Sequence, residues 1–136
     1  MGSFCKALRL LGDEGRLRML RLLDKEELSV AELQEILGMG QSRISMQLSQ
    51  LKQAGFVELR KAGQKSLYRT VAPDGTRDLL AQALHHTSEI PVAEHDDSGL
   101  RLVLQKRKDH LRSYFDDLAG RFGRHYVPGR SWKGLA

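Results

Sequence analysis

The chain has 136 residues, of which 40% are apolar and 29% are charged, a composition typical of one soluble globular domain. No apolar run approaches the roughly 20 residues that a membrane-spanning helix needs, and the first residues lack a secretory signal pattern. The single cysteine, Cys5, excludes an internal disulfide and a thiolate zinc cage. We therefore expect a soluble, cytoplasmic protein without a metal or cofactor.

The net charge of +5 is arranged in blocks along the chain. Residues 41–69 carry six basic side chains and one acidic side chain, and residues 101–136 carry nine and three. Residues 70–100 carry one basic and six acidic side chains. A basic segment that is nearly free of carboxylates favours a polyanionic partner, because a carboxylate facing phosphate cancels much of what a lysine contributes.

Three helices are predicted in the first part of the chain. Apolar residues at three- and four-residue spacing predict the first helix at residues 4–11. The second follows Gly12, where acidic residues favour a helix N-terminus and leucines form a broad apolar face. Ser29 and Glu32 have the spacing of a capping box, which predicts the start of a short third helix.

A glycine-bearing turn at residues 38–40 leads into a fourth helix at residues 41–54, which contains no acidic residue. Residues 56–60 and 66–71 have the composition of strands, and residues 61–65 between them hold the glycine that a hairpin turn favours. Two helices joined by a tight turn and followed by a basic hairpin are typical of a winged helix-turn-helix. We therefore predict a mainly α-helical α+β fold with one small β-hairpin.

The predicted domain boundaries divide the chain into four parts. Residues 1–90 form the winged helix-turn-helix DNA-binding domain and include a last helical stretch that Pro73 opens. Residues 91–97 are interpreted as an exposed, mobile acidic loop. At residues 98–118, apolar side chains on alternating four- and three-residue spacing predict a long amphipathic dimerisation helix. Residues 119–136 contain four glycines and no clear period, and are interpreted as a linker or domain edge.

The polar face of the fourth helix is the predicted DNA-reading surface. A helix fits the major groove of B-DNA, where Arg and Gln have the two-pronged geometry that reads guanine and adenine. Basic side chains of the hairpin are expected to hold the neighbouring backbone or minor groove. The predicted DNA-binding residues are Gln41, Ser42, Arg43, Ser45, Gln47, Gln50, Arg60, Lys61, Gln64 and Lys65. The alternative is a polar helix face that is merely solvated.

Three segments resemble the ArsR family of bacterial winged-helix regulators, namely residues 15–20 (GRLRML), 41–48 (QSRISMQL) and 51–57 (LKQAGFV). The resemblance covers about residues 4–88. It implies a homodimer that represses transcription and leaves a palindromic operator on double-stranded DNA when a small-molecule effector binds. The predicted dimer-interface residues are Phe4, Leu8, Leu11, Leu80, Leu84, Leu100, Leu104, Leu111, Tyr114 and Leu118.

The metal sites of the family are not predicted in this chain. Ser29 and Ala31 stand where metal-sensing members carry a Cys-x-Cys pair. The acidic and histidine residues after the hairpin do not have the spacing of the zinc-binding members; these residues are Asp74, Asp78, His85 and His86. Cys5 is interpreted as a buried packing residue near the dimer interface, with a redox role as the alternative.

Residues 114–122 and 126–132 resemble the junction in proteins that fuse an ArsR-type domain to an S-adenosylmethionine-dependent methyltransferase domain. The chain lacks the strand and glycine-rich loop of such a cofactor pocket, so we predict that it is not itself an enzyme. The resemblance implies an effector from the S-adenosylmethionine or S-adenosylhomocysteine cycle. Two alternatives remain open, namely an N-terminal dimerisation module of a methyltransferase, and a basic tail at residues 119–136 that follows DNA or is disordered.

Overall fold

The computed structural model describes the backbone of residues 2–122 and the side chains of residues 4–120. The elements in chain order are α1 Gly2–Leu11, α2 Glu14–Lys25, α3 Val30–Leu37, α4 Gln41–Ala54, β1 Val57–Ala62, β2 Lys65–Thr70, α5 Arg77–His85, a short 3₁₀ helix His86–Glu89 and α6 Ala93–Phe122. The chain divides into two compact units, residues 1–101 and residues 102–136. The first unit contains the winged helix-turn-helix, and the described part of the second is the later portion of α6.

Local signals set the start of α2 and both ends of α3, as predicted. The carboxylate of Asp13 accepts a hydrogen bond from a backbone N–H in the first turn of α2, at 2.9 Å. Ser29 and Glu32 form the predicted capping box at the start of α3. Gly38 ends α3 with φ of 68°, a left-handed conformation that glycine adopts without steric cost. The helix α4 then has the predicted limits.

The core of the first unit lies between α2, α3, α4 and the hairpin. Its fully buried side chains include Met19, Leu20, Leu22, Leu28, Leu33, Ile36, Ile44, Leu51 and Phe56. Ile44, Leu48 and Leu51 turn one side of α4 into this core. Because these residues share one face of the helix, the opposite face of α4 is left exposed.

The hairpin has a tighter turn than predicted. The strands β1 and β2 pair antiparallel along their whole length, so the turn consists of Gly63 and Gln64 instead of residues 61–65. Gly63 has φ of 65°, which permits a two-residue connection. Leu28 and Tyr68 exchange two backbone hydrogen bonds of 3.1 and 2.9 Å, and these anchor the hairpin to the segment between α2 and α3.

Two predicted boundaries after the hairpin are wrong. Pro73 does not open a helix, because a turn follows it and α5 begins only at Arg77. Residues 91–97 are not a mobile loop, since α6 begins at Ala93 and that residue is buried. The acidic composition of this segment led to the prediction that it is exposed to water. In the structure, two of its carboxylates form ion pairs with arginines of α2.

The arginines of α2 hold the start of α6. Arg18 donates two hydrogen bonds to Asp96, each of 2.9 Å, and the Asp96 residue is only 1% exposed. Arg21 donates two to Asp97, at 2.6 and 2.8 Å. Hydrogen bonding from Arg21 is the largest cause that holds the pKa of Asp97 below its ordinary value. The start of α6 therefore belongs to the first unit.

The predicted dimerisation helix at residues 98–118 is longer than expected at both ends. It begins at Ala93, and residues 119–122 continue it instead of starting a linker. The rest of the predicted linker, residues 123–136, lies outside the described residues. Across the described part of the chain, no helix combines the length and the apolar character that crossing a membrane requires.

Candidate nucleic-acid interface

The exposed face of α4 is polar and free of carboxylates. The exposed residues of this helix are Gln41, Ser42, Arg43, Ser45, Met46, Ser49, Gln50, Lys52 and Gln53. Five of the six residues predicted on α4 to contact DNA are therefore on the exposed face. The prediction omitted Met46, Ser49, Lys52 and Gln53, although each follows an exposed residue of α4 at three- or four-residue spacing, which places it on the same side.

Gln47 is the exception among the predicted α4 residues. It is buried, with 5% of its surface exposed, and its Oε1 atom is buried without a hydrogen-bond partner. The prediction that Gln47 reads a base is therefore not supported by its placement, because the side chain does not lie on the exposed face. The polar character of Gln47 led to its prediction as a surface residue. Its position next to Leu48 and Leu51 on the helix instead directs its side chain inward.

Arg16 of α2 connects α1 to α4 through hydrogen bonds of its side chain. Its Nε atom donates to the carbonyl oxygen of Leu10 at 2.7 Å, which satisfies an acceptor at the end of α1. Its Nη1 atom donates to Oε1 of Gln50 at 3.3 Å. This side chain therefore joins α1, α2 and the exposed face of α4.

A basic cleft of about 500 Å³ borders the same end of α4. Lys6, Arg9 and Arg16 are among the residues that line it, together with Gln50 and Gln53, and none of the described residues that line it is acidic. The positive surface of the first unit thus extends from α4 to α1.

The tip of the hairpin carries the exposed lysines of the wing. Lys61 and Lys65 lie in the strands on either side of the two-residue turn, and both are exposed, as is Gln64 in the turn. Three of the predicted wing residues therefore lie together at the tip, within reach of a common partner.

The other two wing cations are paired with carboxylates. Arg60 donates to Glu27 at 2.7 Å, and Arg69 forms an ion pair with Glu58, the single acidic residue of the basic segment. Because the hydrogen bond to Glu27 favours the charged guanidinium, the pKa of Arg60 is raised above its ordinary value. Arg60, predicted to contact DNA, is thus already engaged, and Lys61 and Lys65 are better placed to attract phosphate.

The predicted dimer-interface residues fall into three groups. Leu11, Leu80 and Leu100 are buried within the chain itself, so they serve its own core. The half-buried members are Leu84, Leu104 and Leu118. The exposed members are Phe4 and Leu8 on α1, and Leu111 and Tyr114 in the second unit.

An apolar groove of about 260 Å³ lies between α1 and α5. Leu8, Leu11, Leu79 and Ala83 line much of it. Phe4, four residues before Leu8 on α1, is 51% exposed, so the side of α1 that borders the groove carries a further exposed apolar side chain.

The residues weighed as metal or redox groups do not form a metal site in the described structure. No group of three or more His, Cys, Asp or Glu side chains is placed there to hold a metal ion. His85 and His86 contact each other edge to face, with ring centroids 5.2 Å apart. Cys5 is exposed, so the prediction of a buried packing thiol is wrong.

Residues 13–58 match the family model described as bacterial regulatory protein, arsR family. They comprise α2, α3, the glycine-bearing turn, α4 and the start of β1. The chain belongs to the ArsR family. This confirms the predicted resemblance and the predicted winged helix-turn-helix fold.

Similar curated proteins and solved structures support the assignment. An HTH-type transcriptional regulator of Mycobacterium tuberculosis is 38% identical over 76 residues, which cover 55% of this chain and 66% of that protein. The transcriptional repressor BigR from Xylella fastidiosa has a crystal structure with a TM-score of 0.54 and 29% identity, covering 68% of this chain and 87% of that chain.

The homodimeric winged helix-turn-helix DNA-binding domain Mb0332 from Mycobacterium bovis has a TM-score of 0.55 and 28% identity, covering 66% of this chain and 82% of that chain. The chain spans about half to two thirds of the length of the curated relatives that it matches. These relatives are transcriptional regulators. The resemblance to a methyltransferase junction is not tested by them and stays a prediction.

Proposed function

We propose that this ArsR-family chain is a dimeric, sequence-specific DNA-binding repressor that an effector releases from its operator. The observation that carries the proposal is the carboxylate-free exposed face of α4 beside the lysines at the hairpin tip. Both surfaces belong to the first unit, so a single duplex can meet them together. The similar protein BigR is a transcriptional repressor, which supports this direction of regulation.

The exposed side chains of α4 have distinct roles in this proposal. Arg43 offers two parallel donors to the O6 and N7 atoms of guanine, and Gln41 offers a donor and an acceptor to adenine. Ser42 and Ser45 contact either phosphate or a base edge. These side chains lie in the first half of α4, the part of a recognition helix that commonly reaches base edges.

The lysines of the wing contribute affinity without base preference. Lys61 and Lys65 neutralise phosphates of the flanking backbone, and the counterions that they displace make binding weaker at high salt. Because phosphates carry no sequence information, this contribution is equal for all sequences.

We propose that two copies associate through the apolar face formed by α1 and α5, and that the apolar stripe of α6 adds a second contact. The exposure of Phe4 and Leu8 and the groove beside them supply the apolar surface that an interface core needs. The domain from Mycobacterium bovis is homodimeric. A two-fold dimer presents two copies of α4 to one duplex, which requires an approximately palindromic operator.

We propose that this chain has no catalytic role, because the proteins to which it is similar are transcriptional regulators. A following methyltransferase domain, and an effector from the S-adenosylmethionine cycle, are hypotheses that depend on residues 114–132. Part of that segment lies outside the described residues. The alternative function, a dimerisation module of a methyltransferase, predicts only weak DNA binding that salt abolishes.

Selection from a random DNA library at near-physiological salt tests the proposal. Enrichment of an inverted repeat with half-sites about ten base pairs apart is the expected result. The chosen site should then bind on the order of a thousandfold more tightly than unrelated DNA. A library that yields no enriched sequence would contradict sequence-specific binding and favour the dimerisation module.

A further inference from the structure

Met46 lies at the centre of the exposed face of α4. The helix rotates by about 100° per residue, so Ser42, Ser49 and Gln53 share its side, while Ile44 and Leu48 lie on the opposite side. Ile44 and Leu48 are buried, whereas Met46 is 55% exposed. The side chain therefore points away from the core of its own chain.

A large apolar side chain at this position is not explained by packing within the first unit. The other exposed large hydrophobic side chains of the described residues lie on α1 and α6. The exposed neighbours of Met46 on its helix are instead serine, arginine and glutamine, which suit contact with water or nucleic acid. Its apolar surface is available to a partner that approaches this face of α4.

The major groove of B-DNA presents one prominent apolar group, the C5-methyl group of thymine. Methionine is unbranched and polarisable, so it adapts to an irregular apolar surface of this kind. Its polar neighbours are suited to hydrogen bonds with the surrounding base edges. A helix face that combines Met46 with such neighbours is therefore complementary to a groove that contains thymine.

We propose that Met46 is a specificity-determining residue that contacts the C5-methyl group of a thymine in each operator half-site. The inference rests on the proposed function, since it requires that α4 enter the major groove. It adds a source of specificity that hydrogen bonding does not supply, namely preference for thymine over bases that lack the methyl group.

The test replaces one thymine at a time in the selected operator by uracil, which removes the methyl group and keeps the pairing. The dissociation constant is measured for the unmodified protein and for M46A. At one position in each half-site, the unmodified protein should lose about fourfold in affinity per methyl group, the effect of burying one such group. M46A should bind the thymine and uracil operators equally.

The conservative variant M46L is the matched control, because leucine keeps a large apolar side chain and a high helix propensity. It should retain a preference for thymine, whereas M46Q should lose it. Circular dichroism of all variants checks that α4 remains folded.

The outcomes separate this inference from the proposed function. If operator binding is specific but no uracil substitution weakens it, or if M46A keeps the same methyl dependence, the role of Met46 is refuted and the repressor proposal stands. If selection yields no operator, sequence-specific binding fails and the role of Met46 fails with it.

Discussion

The guanidinium of Arg18 and the carboxylate of Asp96 form a bidentate ion pair across 78 positions of the chain, with Nε and Nη2 each 2.9 Å from an oxygen. The side chain of Asp96 is 2% exposed and that of Arg18 is 16% exposed. Hydrogen bonding to Asp96 is the largest cause that raises the pKa of Arg18. This pair connects α2, which precedes the helix-turn-helix, to the first turns of α6.

Removing the charge of Asp96 should destabilise the first unit. In D96N, the shape of the side chain is kept but the guanidinium of Arg18 loses its counter-charge in a largely buried place. We expect a loss of about 2–3 kcal/mol, because breaking one half of a buried pair leaves a charge uncompensated and Arg18 keeps some contact with water. Urea unfolding measures this loss.

The exposed neighbour Glu94, changed to Gln, is the control and should alter stability by at most about 0.5 kcal/mol. Equal stability of D96N and the unmodified protein would contradict a stabilising pair.

Asp97 should make stability depend on acid pH. Its pKa is lowered in the folded state, chiefly by the hydrogen bond from Arg21 and also by Lys25 at 2.8 Å. Its contribution is therefore fully present above the ordinary pKa of 3.8 and is lost as the pH falls through the lower folded-state pKa. Urea midpoints of the unmodified protein and D97N should differ at pH 6 and converge as the pH falls below about 4. A difference that stays constant over this range would show that Asp97 acts by packing alone.

Arg43 and Lys65 should affect DNA binding differently. R43A should cost about 1–3 kcal/mol on the selected operator and relax base preference at one position of each half-site, because a bidentate contact is lost. K65A should weaken binding to all sequences alike and reduce the salt slope by about one. Fluorescence anisotropy with operator and unrelated DNA at several salt concentrations separates the two effects.

The control for both variants is K108A, which removes the same charge from the exposed surface of the second unit. It should leave the preference for the operator unchanged. If R43A weakened operator and unrelated DNA equally, Arg43 would be a phosphate contact and its proposed reading of a base would be wrong.

Leu111 should contribute to self-association through the apolar stripe of α6. It is 55% exposed, and Tyr114 beside it on the helix is 57% exposed. L111E places a charge in the centre of this stripe and should shift the protein toward monomer, since a charge at a seam position must be desolvated on association. Sedimentation velocity over a concentration series measures the shift. The control S113E introduces the same charge on the other side of the helix and should not change the molecular mass of the protein in solution. If L111E also left that mass unchanged, the stripe would be excluded from the interface.

Local sequence determined much of the DNA-binding half of this protein. The caps at Asp13 and Ser29, the left-handed Gly38 and the apolar spacing of α4 each depend on residues within a few positions of one another. For this reason the presence of the first four helices and of the hairpin, and the limits of α4, could be predicted correctly. Short-range hydrogen bonds and helical periodicity are properties that a sequence shows directly.

Tertiary contacts decided the remaining features. Asp96 resembles a solvated loop residue in the sequence, and only the approach of Arg18 makes its burial favourable. Gln47 and Met46 are adjacent, yet packing buries the polar residue and leaves the apolar one exposed. The free energy of a side chain depends on which groups and how much water surround it, and for Asp96 the deciding partner, Arg18, comes from a distant part of the chain.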